Sequence, residues 1–109
     1  MSLKAFQPSG LSAALSVSAT STSTPIQVRG TNNNATQRMF YNGGSKDCWV
    51  CWAATPTACV IPTAGTPANG FPIAAGAIVT LGIPPNAYFA AICGGSDSTT
   101  LYITPGEGN

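Results

Sequence analysis

Apolar and polar residues alternate along most of this chain with a period of two. "LSAALSVSAT", Leu11 to Thr20, places Leu11, Ala13, Leu15 and Val17 on one side and serines between them, the signature of a half-buried strand. "STSTP" then reads as a turn cluster, "IQVR" as a short strand with Ile26 and Val28 on one face, and "GTNNNAT" as a loop. "QRMFY" predicts a strand that ends at "NGG", a strong turn signal. The stretch from Asp47 to Ala54 predicts another. After it, Thr55 to Gly70 is rich in Pro, Thr, Ala and Gly, with one apolar triad at Cys59, Val60 and Ile61. "FPI" predicts an edge piece, because proline cannot donate in a central ladder. "AIVTLGI", "AYFAAIC" and "TTLYIT" predict three further strands, separated by "PPN" and "GGSDS", and "PGEGN" predicts a terminal loop.

No segment carries an apolar face at helical spacing, and no fixed-period repeat is visible. The pattern therefore predicts an all-β fold: a single-domain antiparallel β-sandwich or jelly roll of about seven or eight short strands. Residues 1–10 are expected as a flexible N-terminal arm and 11–109 as the domain. Lys4 ahead of "LSAALSVSA" also has a secretory-leader reading, but "QPSG" and the interspersed serines interrupt the apolar region, and the alternation fits a strand better.

Composition adds a second constraint. Only 6% of the 109 residues are charged, with net charge +1, while 44% are hydrophobic. Such a surface is covered by Ser, Thr, Asn and Gly and repels neighbours weakly, which suits a protein whose surface is partly covered in an assembly. The basic residues Lys4, Arg29, Arg38 and Lys46 are scattered, so no nucleic-acid partner is expected. No apolar run reaches transmembrane length, so no membrane partner is expected either.

The chemistry-bearing residues are few. "CWVCW" places Cys48, Val50 and Trp52 on one face of a strand and Trp49, Cys51 and Ala53 on the other. The two thiols then point apart. With no histidine in the chain and only Cys59 and Cys93 elsewhere, neither zinc nor a redox motif at a helix start is supported, and no metal or cofactor is expected. Four cysteines permit a disulfide, for which Cys59 and Cys93 are the first choice. The favoured expectation is that most thiols are free and packed as small hydrophobes. Asp47, Asp97 and Glu107 are the only carboxylates and lie beside turns, so no acid–base pair is spaced for catalysis. A hydroxyl nucleophile lacks a base, and the glycines of "NGG" and "CGG" precede no helix that could cradle phosphate. No catalytic residue is assigned, and the chain reads as a non-enzyme. The aromatic residues Tyr41, Trp49, Trp52 and Phe71 are the candidate interface residues: one of the two tryptophans should face outward, as a subunit contact or as a sugar-stacking platform.

Three segments, "FYNGGSKDCWVCWA", "GFPIAAGAIVTLGI" and "AYFAAICGGSDSTTLYITPGEG", give a resemblance over about Arg38 to Gly108. The chain resembles small β-sandwich structural proteins of tailed bacteriophages and prophages. The shared pattern is an Asn-Gly turn before a strand, a "P-I-x-x-G" turn, a "Y-x-A-A-I" strand and a last strand ending in "T-x-G-x-G". The cysteines at 48, 51 and 93 depart from it. The resemblance implies a virion component made in the bacterial host cytoplasm: a head decoration, cement, fibre or tail-accessory subunit, homo-oligomeric and bound to a capsid or tail protein. The alternative is a carbohydrate- or receptor-binding module, secreted or at a phage tip, with the "GTNNNAT" loop and an outward aromatic contacting a glycan.

Overall fold

Nine strands are formed among the described residues of the computed structural model, which are 6–18, 26–30, 35–94 and 97–107. They are β1 (Gln7–Pro8), β2 (Ala13–Ser18), β3 (Ile26–Gln27), β4 (Gln37–Asn42), β5 (Cys48–Ala53), β6 (Phe71–Ile73), β7 (Ile78–Gly82), β8 (Tyr88–Cys93) and β9 (Ser98–Glu107). All pairings are antiparallel. The first sheet runs β1-β9-β4-β7, with β2 also paired to β9, and the second runs β3-β8-β5-β6. The chain is all-β and the two sheets pack as a sandwich, as the period-two pattern predicted.

Alternation decides the core. Leu15 and Val17 of β2, Phe40 of β4, and Leu101 and Ile103 of β9 project from the first sheet. Cys48, Val50, Ile73, Phe89, Ala91 and Cys93 meet them from the second. Phe40 is the centre: its ring makes edge-to-face contacts with Phe71 at 5.3 Å and Phe89 at 5.7 Å, the geometry that ring quadrupoles favour.

The inward face of β4 carries Arg38, Phe40 and Asn42, all 0% exposed. The two polar side chains close opposite ends of the sandwich. Arg38 Nε donates to the Val28 carbonyl at 3.0 Å, and its terminal nitrogens donate to the carbonyls of Ala35 (3.3 Å), Pro84 (3.2 Å) and Pro85 (2.9 Å). The guanidinium also lies 5.6 Å from the Phe89 ring centroid. Burial lowers its pKa from the usual value, yet a guanidinium titrates so high that the group stays charged. At the other end, Asn42 Nδ2 donates to the carbonyls of Lys46 (2.8 Å) and Ile73 (3.1 Å). Its Oδ1 accepts from Thr99 Oγ1 (2.6 Å) and the Gly44 amide (3.2 Å). The expected "NGG" turn is thus organised from inside by the last residue of β4.

Two expectations change at the chain ends. "PGEGN" was expected as loop, but β9 continues through Pro105 to Glu107. Gly43 donates to the Thr100 carbonyl, so by alternation Pro105 faces β4 at a position that exchanges no hydrogen bonds. Its missing N–H points instead to the junction of β1 and β2, where Ser9 donates to the Pro105 carbonyl at 2.8 Å. The start of the chain, expected as an arm over 1–10, enters the sheet at Gln7, opposite Glu107; Met1 to Ala5 lie outside the described residues.

Replacing Arg38 with Met should cost about 2–4 kcal/mol, because several inward carbonyls lose their donor at once. A thermal melt should show the midpoint falling by ~10 °C or more. Arg38→Lys should recover only part, since an ammonium cannot span carbonyls from two connections; a melt within 2 °C of wild type (about 0.3–0.5 kcal/mol) for Arg38→Met would contradict the role assigned.

Candidate functional site

β5 decides where the "CWVCW" side chains point. It is an extended strand, and its faces divide as alternation requires. Cys48, Val50 and Trp52 turn toward the main core, while Trp49 and Cys51 join a second cluster with Cys59, Ala90 and Ile92 on the other side of the sheet. One of the two tryptophans was expected to face outward, and Trp49 is the one on this outer side. Instead, the segment 54–70 folds back across it. Cys51 and Cys59 form a disulfide with Cα atoms 5.5 Å apart. Trp49 Nε1 donates to the Asn69 carbonyl at 2.8 Å, and Asn69 Nδ2 donates to the Trp52 carbonyl at 2.9 Å. Gly70 (φ +111°) makes the return possible, for a Cβ there would stand 2.3 Å from the Val50 carbonyl oxygen.

The cysteine expectations are therefore corrected. A bridge exists, and it joins Cys51 to Cys59 rather than Cys59 to Cys93, because Cys93 faces the opposite side of the sheet. Cys48 and Cys93 are the free pair, both buried and directly opposite each other across β5 and β8. Burial pushes the Cys48 thiol up to about 12, with Cys93 and Asp47 adding to the rise; Cys93 is also raised, by burial and then by Asp97 and Asp47. Such thiols are poor nucleophiles. Among the described residues, no group of three or more Cys, Asp or Glu is placed to hold a metal ion.

The four aromatic candidates separate. Phe71 and Trp52 pack against the main core, so their rings serve the fold; Trp49 is half-buried beneath the 54–70 segment. Tyr41 alone is displayed, 40% exposed on the outer face of the first sheet. There it stacks on Tyr102, its cross-strand partner, with centroids 5.9 Å apart and planes 18° from parallel. Tyr102 was not singled out from sequence; its alternation with Leu101 and Ile103 was the available signal. The registers extend this pair into a row crossing four strands: Ala14, Tyr102, Tyr41 and Ile78. All four are exposed, Ile78 by 64%. On one side of the row lie Ser12, Thr104, Met39 and Thr80, with Ser12 and Thr104 hydroxyls 2.9 Å apart; on the other lie Ser16 and Thr100. Gly43 keeps the surface open beside the pair, since a Cβ there would stand 2.7 Å from the Tyr102 ring.

This is a broad, uncharged face: an apolar ridge between hydroxyl-bearing rows. It offers ring faces and hydroxyls to a partner, with no ionisable group on the ridge besides the two phenols. The "GTNNNAT" loop named as a glycan contact lies largely outside the described residues, at 31–34. The chain matches no protein-family model, no curated protein and no solved structure.

Thiol titration without reductant should find no reactive thiol in the native protein and two after unfolding. Reducing the bridge, or combining Cys51→Ala with Cys59→Ala, should shift tryptophan emission to the red as the 54–70 segment lifts from Trp49. The melting transition should survive, lowered by about 2–4 kcal/mol of lost loop constraint. Alkaline pH supplies a further check. The Cys48 thiol is held protonated in the fold and titrates near 9.0 when unfolded, so stability should decline from about pH 9 toward pH 12. Cys48→Ala should flatten that decline in urea titrations at stepped pH.

Proposed function

We propose that this chain is a non-enzymatic structural subunit of a tailed-phage or prophage virion, acting by self-association and by binding another virion protein through the outer face of its first sheet. The observation that carries the reading is the Ala14–Tyr102–Tyr41–Ile78 ridge. Aromatic rings and an exposed isoleucine aligned across four strands form a surface that gains by being covered, and interfaces favour tyrosine for its large area and few rotamers. The charge-poor composition supports the same reading, because copies can approach without repulsion. The Cys51–Cys59 bridge supports a working life outside the reducing interior of a cell, as in a released particle. The resemblance of residues 38–108 to phage structural proteins supplies the virion assignment.

A second reading rests on one specific observation, the stacked Tyr41–Tyr102 pair between hydroxyl rows. Rings flanked by hydroxyls are also a platform for the flat face of a sugar, so a carbohydrate-binding module is the alternative.

Mass spectrometry of density-purified particles from the induced host should find the chain in many copies per particle; its absence from particles, with the protein present in the lysate, would remove the virion assignment. Tyr41→Ala with Tyr102→Ala should leave the fold intact and abolish incorporation. A glycan screen separates the alternative: saturable sugar binding lost in that double variant, with no incorporation into particles, would favour the module.

A further inference from the structure

β7 ends the first sheet, with β4 as its only strand neighbour among the described residues. The hydrogen-bond phase of this edge can be read from its flanks. Asn42 donates to the Ala77 carbonyl and Ile83 donates to the Thr36 carbonyl. Antiparallel pairs alternate between exchanging and not exchanging these bonds. Residues 77, 79, 81 and 83 therefore bond inward to β4. The N–H and C=O groups of Ile78, Thr80 and Gly82 point away from the sheet, and all three residues are exposed.

The other strand ends differ. β3 has two residues; β1 and β6 are short and contain Pro8 and Pro72. β2 is longer and pairs with β9 alone; the segment 28–30 approaches the chain just ahead of it, where a Cβ at Gly10 would meet the Arg29 carbonyl at 2.6 Å. Short length, proline and cover are the usual protections of an edge. β7, with sequence IVTLG, has no charge, no proline and no covering segment among the described residues.

We propose that β7 pairs antiparallel with β7 of a second copy of this chain, joining two first sheets into one across a two-fold axis at Thr80. This inference rests on the self-association reading above. The phase is self-complementary. With Thr80 opposite Thr80 of the second copy, Ile78 faces Gly82 on both sides of the axis, and each of these pairs exchanges two N–H···O=C bonds using the outward groups alone. Gly82 has no side chain, so it leaves room for the exposed Ile78 of the other copy. The strand is neutral, so the two copies meet without like charges. The two aromatic ridges then lie on one continuous face, which doubles the surface offered to a partner. A second copy fits better than an unrelated strand because the same three residues supply both halves of the ladder in matching phase.

The test uses the full chain in sedimentation velocity over a concentration series, with amide exchange followed by NMR. Wild type should dimerise, and the amides of Ile78, Thr80 and Gly82 should become protected as the dimer forms. Ile78→Lys places a charge on the edge, and Thr80→Pro deletes an outward donor while leaving the β4 ladder intact. Each should weaken dimerisation by about 10- to 100-fold with little change in far-UV circular dichroism. If Thr80→Pro does not fold, Ile78→Lys carries the test. Variants that dimerise as tightly as wild type, or a dimer in which those three amides exchange freely, would overturn the β7 pairing and leave self-association standing. A wild-type chain that stays monomeric at millimolar concentration would overturn both.

Discussion

The Arg38 guanidinium sits out of solvent and donates to backbone carbonyls from two separate connections, the one leading into β4 and the one between β7 and β8. A buried cation is costly unless every donor is used. Here the carbonyl dipoles take the place of a carboxylate, and the Phe89 ring lies beneath. The consequence is positional. Irregular segments at one end of the sandwich cannot drift without leaving a charge unpartnered. That holds the place where β7 ends and β8 begins, and so supports the β4–β7 register that aligns Tyr41 with Ile78. Asn42 does the same at the opposite end, where one amide satisfies a turn, a strand of the second sheet and the Thr99 hydroxyl. Between them, Phe40 supplies apolar contact at the centre.

The two sheets treat their outer faces differently. The second sheet hides its outer face beneath the 54–70 segment, fastened by the Cys51–Cys59 bridge and by Trp49 and Asn69. Among the described residues nothing covers the outer face of the first sheet, although that face carries two tyrosines and an exposed isoleucine. A small domain with few charges has little other means of staying apart from its neighbours. This asymmetry, one outer face covered and the other exposed, is what the proposed direction of attachment rests on. The aromatic face and the neutral β7 edge belong to the same sheet and share Ile78, so the proposed lateral contact between copies would meet the proposed facial contact at one end of the ridge.

The alternation of apolar and polar residues was enough to place most strands within a residue or two, to make the fold all-β, and to put Cys48 and Cys51 on opposite faces. These follow from local geometry: successive side chains of an extended chain must point to opposite sides. Tyr41 became a candidate as an aromatic residue, and the same rule could not separate it from Trp49, Trp52 and Phe71. Each of those four stands at a position that alternation permits to be inside or outside.

Only the tertiary structure decided which face was covered and by what. Trp49 is sheltered because a proline- and glycine-rich segment with no strand pattern returns across it, and nothing local in that segment announces where it will lie. Cys59 finds Cys51 for the same reason. Arg38 and Asn42 are polar residues on an inward face, against the pattern, because carbonyls from distant segments converge on them. β9 runs through Pro105 because its missing N–H meets a junction rather than a partner. Sequence alone set the period of the backbone and hence the two sides of every strand; the long-range closure of the sandwich chose which side meets water, since that choice depends on segments far apart in the chain.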